Sequence, residues 1–265
     1  MMKTLISFSG GKDSTALILW AKEQGILDDA DVVYCDTGWE NPLTYDYIKY
    51  VGEKLGKEII TLQPEYNFLE LAKKKKRFPS SQARFCTEEL KLKPMKKYIE
   101  QYLPECEILV GVRAEESFSR SKLPERAFAD YYGCDMVRPL IKWTWQQVFD
   151  IMKRHNIEPN PLYKNGMKRV GCFPCIMSGN QELKNMFERY PDSLAKLTEA
   201  ENEIGRSFFV PAKIPEKYHT GRDPKSGLSF PRVIDVYDYL VDPHSEKLFE
   251  DEEGETCLSY YRICE

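Results

Sequence analysis

Short apolar runs alternate with longer amphipathic segments through the first 110 residues. The runs are rich in Val, Ile, Leu and Phe and are bounded by Gly, Pro or charged residues, which is typical of buried strands. Strands are predicted at Lys3–Phe8, Asp31–Cys35, 58–62 and 107–110. The segments between them have helical spacing and predict helices at 13–24, Pro42–Leu55 and 87–103, the last with a kink or restart at Pro94.

This alternation predicts an α/β fold, a parallel sheet with helices on both faces. Ligands bind such sheets at the carboxyl ends of the strands. Segments 9–15, 36–38 and 111–113 each follow a strand, so we expect them to meet at one site. After Trp145 the pattern changes to helices and loops, and only residues 233–236 have the composition of a further strand.

The segment Ser-Gly-Gly-Lys-Asp-Ser at residues 9–14 carries the strongest chemical signal. It joins a strand to a helix, whose first N–H groups have no intrahelical partner, and its glycines let backbone approach oxygen atoms closely. Lys12 can offset negative charge and Asp13 can hold Mg²⁺ through oxygen. The spacing differs from that of the Gly-x-x-x-x-Gly-Lys-Ser/Thr loop. We therefore expect a polyphosphate site, the alternative being a glycine turn with a capping serine.

Composition narrows the class of partner. The 265 residues are 42% hydrophobic and 30% charged, with a net charge of −4, so no global basic field draws in nucleic acid. No apolar run is long enough to cross a bilayer and the N-terminus enters a strand directly, so we expect a cytoplasmic protein without membrane contact. The basic run at residues 73–77 is interpreted as a solvated helix end, with a polyanion contact as the alternative.

The chain has eight cysteines and three histidines. Because reducing compartments disfavour disulfides, clustered cysteines indicate metal or redox chemistry. Cys172 and Cys175 form a Cys-x-x-Cys pair, which fits a redox pair, a zinc half-site or an iron–sulfur half-site. Cys35, Cys106 and Cys134 are interpreted as structural.

Five segments, of which the glycine loop is the first, form a pattern that covers most of the chain. They are residues 9–14, Tyr34 with 36–38, 84–87 with Leu90 and Lys91, 111–113 with Glu116, Ser117 and Arg120, and 139–143 through 160–163. In content and order they resemble the phosphoadenosine phosphosulfate reductase family of the adenine-nucleotide alpha-hydrolase superfamily. The resemblance implies a Rossmann-like sheet, with a nucleotide-binding domain at residues 1–169 and a helical, cysteine-containing region at 170–265.

Two departures from the family pattern point to ATP rather than an activated sulfate. Sulfonucleotide reductases bind a nucleotide without a β–γ pyrophosphate and usually lack the Lys-Asp pair, which this chain keeps at Lys12 and Asp13. Those reductases also carry a Glu-Cys-Gly-x-His segment, whereas residues 261–265 read Tyr-Arg-Ile-Cys-Glu. The chain therefore looks most similar to DNA phosphorothioation-type ATP pyrophosphatases.

The resemblance implies that a substrate oxygen attacks the α-phosphate of ATP and that sulfur, from a persulfide or a cluster, then displaces AMP. Lys12, Asp13 and Arg113 are the expected catalytic residues. Arg113, Ser117 and Arg120 are expected to face an anionic acceptor, with surface salt bridging as the alternative for the arginines. The expected nucleotide ligands, of which 36–38 would lie by the adenosine, are Ser7, Ser9, Gly10, Gly11, Lys12, Asp13, Ser14, Asp36, Thr37, Gly38 and Gly111.

The family also implies a four-iron four-sulfur cluster held by Cys86, Cys172 and Cys175. Cys257 is the expected fourth ligand, with Cys264 as its alternative, and zinc or metal-free thiols are the alternatives to the cluster. Expected partners are an adenine nucleotide, a cysteine desulfurase or other sulfur donor, and a nucleic-acid or small acceptor, with a homodimer as the assembly. The alternative functions are a thioredoxin-dependent sulfonucleotide reductase and a catalytically idle nucleotide-binding subunit.

Overall fold

A six-stranded sheet forms the centre of the protein in a computed structural model that describes residues 2–243 and 245. The strand order is β3-β2-β1-β4-β6-β5, and only β5 runs antiparallel to its neighbour. The strands are β1 Lys3–Phe8, β2 Asp31–Cys35, β3 Ile59–Leu62, β4 Cys106–Leu109, β5 Arg126–Ala129 and β6 Cys134–Val137. The predicted α/β class, with a mostly parallel Rossmann-like sheet, is confirmed.

Helices cover both faces of this sheet and, with loops, build the described chain after residue 140. They are α1 Lys12–Glu23, α2 Pro42–Leu55, α3 Phe68–Lys75, α4 Phe85–Thr87, α5 Lys93–Ile99, α6 Phe118–Ser121, α7 Trp145–Arg154, α8 Pro161–Lys164, α9 Asn180–Arg189, α10 Pro191–Ile204 and α11 Val233–Val241. A π-helical turn, Glu88–Leu92, joins α4 to α5, so the predicted restart at Pro94 falls at the beginning of α5. Within the described residues, no helix is both long and apolar enough to cross a membrane.

The predicted strand at residues 233–236 is wrong, because these residues begin α11. Val233, Val236, Tyr239 and Leu240 are buried, and their spacing of three and four residues forms one helical face. Asp235 completes a capping box at the start of this helix. The β-branched residues suggested a strand, but the spacing of buried residues over the whole segment is that of a helix. A two-stranded ribbon, β7 Gly221–Arg222 with β8 Ser229–Phe230, precedes the helix.

Buried side chains form three apolar clusters. Two of them lie on opposite faces of the sheet, one with α1, α2 and α7 and the other with α5. The third joins the C-terminal helices to the residues that follow β2 and to α3, because Trp39 and Phe68 pack in the same cluster as Leu183 and Val233. The helical region thus packs beside the carboxyl end of β2. The boundary at residue 169 stays a prediction.

Glu201 on α10 ties together two later segments of the helical region. The side chain is fully buried and accepts hydrogen bonds from the backbone N–H groups of Phe208, at 2.7 Å, and Val233, at 2.9 Å. Burial raises the pKa of this carboxyl, and the two backbone donors only partly oppose the rise.

We predict that Glu201→Gln reduces the loss of stability at higher pH. A raised native pKa means that the native state binds more protons than the unfolded state, so stability falls as pH rises from the unfolded value through the native one. Urea unfolding of wild type and variant at pH 5 and pH 8 should show the variant gaining on wild type at pH 8. Glu199→Gln, an exposed change on the same helix, is the control. A difference between wild type and Glu201→Gln that is the same at both pH values would contradict the prediction.

Candidate functional site

The glycine loop between β1 and α1 is held in a fixed conformation by its own hydroxyl groups. The Ser14 hydroxyl donates to the Gly11 carbonyl at 3.1 Å and accepts from the Ser9 backbone N–H at 3.2 Å. Gly10 has a φ of 76°, in the left-handed region that glycine adopts without strain. Gly11 is the N-cap of α1 and has no side-chain cap. The loop is therefore formed before any ligand binds.

A second segment, at the beginning of α8, supports this loop from outside. Asn160, which is fully buried, donates from Nδ2 to the Gly10 carbonyl at 3.2 Å. The Tyr163 hydroxyl accepts from the Lys12 backbone N–H at 3.0 Å, and the Lys12 ammonium lies 5.5 Å from the centre of the Tyr163 ring. Asn160 and Tyr163, which lie far from the loop in sequence, thus hold the loop in its position.

Asp13 lies beneath the loop with its carboxylate between two cations. Its Oδ2 is 2.9 Å from the Lys12 ammonium, and its Oδ1 accepts from Nε of Arg113, which follows β4. Asp13 is 1% exposed and Arg113 is 4% exposed. Burial opposes the charge of Arg113, but the Asp13 carboxylate outweighs it and raises the pKa of the guanidinium. The three expected catalytic residues therefore form one ion cluster.

The ion pairs give Asp13 a role beyond the one expected from sequence. Each carboxylate oxygen pairs with one cation, so the side chain orients Lys12 and Arg113, and its expected contact with Mg²⁺ stays a prediction. Gly111 allows the close approach of β4, because a Cβ there would lie 2.9 Å from the backbone carbonyl of Asp13.

A cavity opens at the carboxyl ends of β1, β2 and β4. Four of the expected nucleotide ligands line it, namely Ser7, Ser9, Ser14 and Gly111. Tyr34, Glu40 and Lys91 also line it, together with apolar side chains such as Leu92 and Met95. We refer to it as the nucleotide cavity.

Seven of the eleven expected nucleotide ligands do not line the nucleotide cavity, namely Gly10, Gly11, Lys12, Asp13, Asp36, Thr37 and Gly38. Asp36 instead accepts from the Gly38 backbone N–H and from the Tyr45 hydroxyl, both at 2.8 Å, and so stabilises the turn after β2. Gly38 lies on the exposed side of that turn, against Asn67. Thr37 is fully buried and faces the cysteines instead.

A second cavity is lined by Cys86, Cys172 and Cys175, and we refer to it as the thiol cavity. Lys91 and Gly171 line both cavities, so the two are separated by one shared wall. The three described cysteines of the expected cluster therefore line one cavity, and their role as metal ligands stays a prediction. Cys257 and Cys264 lie outside the described residues.

The loop after β2 attaches the Cys-x-x-Cys segment to the sheet. The Phe173 backbone N–H donates to the Trp39 carbonyl at 2.7 Å, and the Trp39 indole donates to the Pro174 carbonyl at 3.1 Å. Thr37 Oγ1 donates to Glu40 at 2.7 Å and lies 3.7 Å from Cys172 Sγ. Burial raises the pKa of the Cys172 thiol, Lys91 opposes the rise and Glu40 adds to it.

The donor set of the thiol cavity does not by itself complete a metal site. Over residues 2–243 and 245, no three His, Cys, Asp or Glu side chains are arranged to share a metal ion. A cluster would need its three cysteines to move together and to gain a fourth ligand. Among the described residues, none of the three thiols forms a disulfide.

The expected outer pocket of Arg113, Ser117 and Arg120 is not formed as an open surface. Arg120 is 5% exposed and its Nη1 pairs with Glu116. Ser117 caps α6 by accepting from the Arg120 backbone N–H at 3.3 Å. Neither arginine lines the nucleotide cavity or the thiol cavity. Both arginines are thus in buried ion pairs, rather than in the surface salt bridges considered as the alternative.

Sequence reasoning assigned no role to Tyr34, Glu40 or Lys91. Lys91 belongs to one of the family-like segments and follows Cys86 by five residues. This spacing could have suggested that Lys91 lies near the cysteines, on the wall between the two cavities. Glu40 is 8% exposed, and burial raises its pKa. A charged residue next to Trp39 gave no signal of burial, because only the tertiary packing encloses it.

Comparison with known proteins agrees with this architecture. Residues 3–178 match the model of the phosphoadenosine phosphosulfate reductase domain family. A 37.8 kDa protein from the gpa 5′ region of Escherichia phage 186, itself uncharacterised, is 32% identical over 89% of this chain and 85% of its own length. The adenosine 5′-phosphosulfate reductase of Anoxybacillus flavithermus is 31% identical over 57% of this chain, and the match spans 63% of that enzyme.

A solved structure shares the fold. The phosphoadenylyl-sulfate reductase of Candida auris, crystallised as a phosphate complex, superposes with a TM-score of 0.51 and 20% sequence identity. The match covers 64% of this chain and 81% of the reductase.

We predict that Arg113→Ala lowers the free energy of unfolding by about 3 kcal/mol, because it leaves the buried Asp13 carboxylate with one cation instead of two. Arg126→Ala is the matched control. Arg126 also pairs with two carboxylates, Glu107 and Asp135, but its side chain is 49% exposed, so the loss should stay below about 1 kcal/mol. Equal losses in urea denaturation of the two variants would contradict a special role for the Asp13 pair.

Proposed function

Because this chain belongs to the phosphoadenosine phosphosulfate reductase domain family, we propose that it is an ATP pyrophosphatase-type enzyme of that family. It binds ATP with Mg²⁺, transfers the adenylyl group to a substrate oxygen and releases pyrophosphate. Sulfur then replaces the activated oxygen. The observation that carries the proposal is the buried ion cluster in which Asp13 orients Lys12 and Arg113 beside the glycine loop.

Two cations at this position suit a departing pyrophosphate. Lys12 is 19% exposed, so its ammonium can reach a ligand in the loop while Asp13 holds it. Charge that develops on the leaving group is stabilised best by donors that are already oriented before the reaction. A sulfonucleotide has no β–γ pyrophosphate to release, so it has no such leaving group for these two cations to stabilise. Mg²⁺ would enter with the nucleotide phosphates, since Asp13 has both oxygens on cations.

The shared wall between the two cavities supports sulfur transfer as the second step. A nucleotide bound along residues 9–14 and 111 would present its α-phosphate near Lys91 and Gly171, which also line the thiol cavity. In the first step the acceptor oxygen bonds to the α-phosphorus and the bond to pyrophosphate breaks. In the second, the terminal sulfur of a cysteine persulfide bonds to the acceptor atom and AMP leaves with the oxygen. In metal-free protein, where Cys172 or Cys175 carries the persulfide, thiolate attack by the other cysteine of the two then releases the thiolated acceptor and leaves a disulfide, which an external dithiol reduces.

The acceptor and the sulfur donor follow from the same proposal. A persulfide requires a cysteine desulfurase or a comparable sulfur donor, and the phosphorothioation-like resemblance favours a nucleic acid as acceptor. With a net charge of −4, the contact with such an acceptor must be local. We also propose a cluster site with four thiolate ligands, which would assemble from Cys86, Cys172, Cys175 and Cys257. It would supply sulfur or hold the thiols in place.

A reductase is the second candidate function. It is favoured by one observation, the 31% identity to the adenosine 5′-phosphosulfate reductase of Anoxybacillus flavithermus. Sulfite release from adenosine 5′-phosphosulfate or phosphoadenosine phosphosulfate in the presence of thioredoxin would favour it over adenylation. ATP binding without turnover would instead favour an idle nucleotide-binding subunit.

We predict that Lys12→Ala lowers the rate of pyrophosphate release from ATP-Mg²⁺ by roughly two to three powers of ten, the usual effect of removing one preorganised charge contact. Because Lys12 is partly exposed, the variant should keep its fold. Lys22→Ala, an exposed change at the other end of α1, is the matched control and should keep the wild-type rate. The catalytic assignment fails if Lys12→Ala releases pyrophosphate as fast as Lys22→Ala does.

We also predict that anaerobically prepared protein binds iron and is brown. Cys86→Ser, Cys172→Ser and Cys175→Ser should each lose the iron, because each removes a thiol that lines the thiol cavity. Cys106→Ser, a buried change at the far end of the sheet, should keep it. Iron content and visible absorbance are the measurements. Colourless protein with stoichiometric zinc would rule out the cluster, and metal-free protein would leave the cysteines as persulfide carriers.

A further inference from the structure

Five cations in a row end α3 and follow it. They occupy residues 73–77, and all five side chains are exposed. The first pairs with Glu203 on α10, and the third pairs with Glu89 after α4. Within the part of the chain that the structure describes, the other three form no ion pair with a carboxylate. We refer to these three as the basic patch, which consists of Lys74, Lys76 and Arg77.

Lys76 occupies a backbone position that glycine fits better than lysine. Its N–H donates to the Lys73 carbonyl at 3.0 Å, and the Arg77 N–H donates to the Ala72 carbonyl at 3.1 Å. This pair of bonds ends a helix through a residue in the left-handed region, and Lys76 has a φ of 53°. A Cβ is strained in that region, whereas glycine has none.

Two other helices of the protein carry glycine at the same position. Gly56 ends α2 with a φ of 60°, and Gly205 ends α10 with a φ of 70°. Attraction to the negative end of the helix explains cations in the last turn of α3, but not at residues 76 and 77, which lie beyond it. A lysine at position 76 therefore lowers local stability and adds a charge that the helix does not need.

The basic patch lies beside the thiol cavity. The Arg77 guanidinium is 5.6 Å from the centre of the Phe85 ring, on α4. The next residue, Cys86, lines the thiol cavity. The Lys74 ammonium is 4.0 Å from the centre of the Tyr66 ring. Both rings are only partly exposed and have a cation beside them, so the patch suits phosphate groups better than it suits stacked bases.

We propose that the basic patch binds the phosphodiester backbone of a nucleic-acid strand and positions the strand beside the thiol cavity. Lysine and arginine side chains bind such a backbone by releasing the cations that are condensed on it. With a net charge of −4, the protein needs a local contact of this kind. The inference rests on the proposed function, in which a nucleic acid is the acceptor, and it identifies where that acceptor binds.

Fluorescence anisotropy of the full chain with labelled single strands of DNA and of RNA tests this contact. The triple variant Lys74→Gln, Lys76→Gln and Arg77→Gln removes all three cations of the patch. Each phosphate contact contributes about 0.7 to the slope of log affinity against log salt. Between about 50 and 200 mM salt, the wild-type affinity should therefore fall roughly 20-fold more than that of the variant. Both kinds of strand should show this difference, because they share the phosphodiester backbone.

A second triple variant makes the same change of net charge elsewhere. It combines Lys22→Gln, Lys49→Gln and Lys225→Gln, at exposed positions of α1, α2 and the β7–β8 turn. This control should keep the wild-type salt dependence. Equal salt dependence of wild type and the basic-patch variant would overturn the inference, and so would an equal change in both triple variants.

Lys76→Gly separates binding from folding. Because glycine adopts a φ of 53° without strain, this variant should raise the Tm by roughly 2 °C. It should also reduce the salt-dependent loss of affinity by about 2.5-fold over the same range, since one phosphate contact is lost. A higher Tm with unchanged binding would identify Lys76 as a solvated helix end and overturn its part in the patch.

Pyrophosphate release from ATP distinguishes failure of this inference from failure of the proposed function. Wild type that releases pyrophosphate but binds neither strand would overturn the inference and leave adenylation of a small acceptor. Wild type that binds the strands through the patch but releases no pyrophosphate would overturn the proposed function and leave the patch as a nucleic-acid contact.

Discussion

The buried carboxylate of Asp13 is the contact on which the rest of the site depends. It joins α1 to the residue after β4 through Arg113, and it holds Lys12 at the glycine loop. A carboxylate buried to 1% exposure is tolerated only if it is paired and hydrogen-bonded. The pairing in turn requires the close approach that Gly111 permits. One electrostatic requirement therefore fixes the relative positions of two strand ends, those of β1 and β4.

A second feature of the site is that the nucleotide cavity and the thiol cavity lie close together. The loop after β2 carries Thr37, Trp39 and Glu40, and all three contact the Cys-x-x-Cys segment or its neighbours. The cysteines therefore take their position from the same sheet that carries the glycine loop. Lys91 and Gly171 are the wall between the cavities. A nucleotide activated on one side and a sulfur species on the other would be separated by little more than these residues.

Much of this architecture could be read from the sequence, for identifiable reasons. The four strands β1 to β4 are continuous apolar runs, and the loop at residues 9–14 has a chemistry that few other residue types could supply. Strands β5 and β6 were missed, although β3 and β4 are equally short, because Arg126 and Phe128 of β5 are exposed and Asp135 interrupts β6. The burial of Asp13, Glu40 and Arg120 was not expected, because the packing that encloses a charged side chain is set by the tertiary structure. The segment that fixes the loop, Asn160 and Tyr163, was recognised as family-like, but its contacts with Gly10 and Lys12 required the fold.

The proposed reaction cleaves ATP between the α and β phosphates. Phosphorus NMR of ATP incubated with the full chain, Mg²⁺ and a total nucleic-acid fraction measures this directly, because AMP with pyrophosphate and ADP with phosphate give different signals. We expect AMP or adenylylated acceptor together with one equivalent of pyrophosphate. Formation of ADP and phosphate, or ATP left intact, would contradict it.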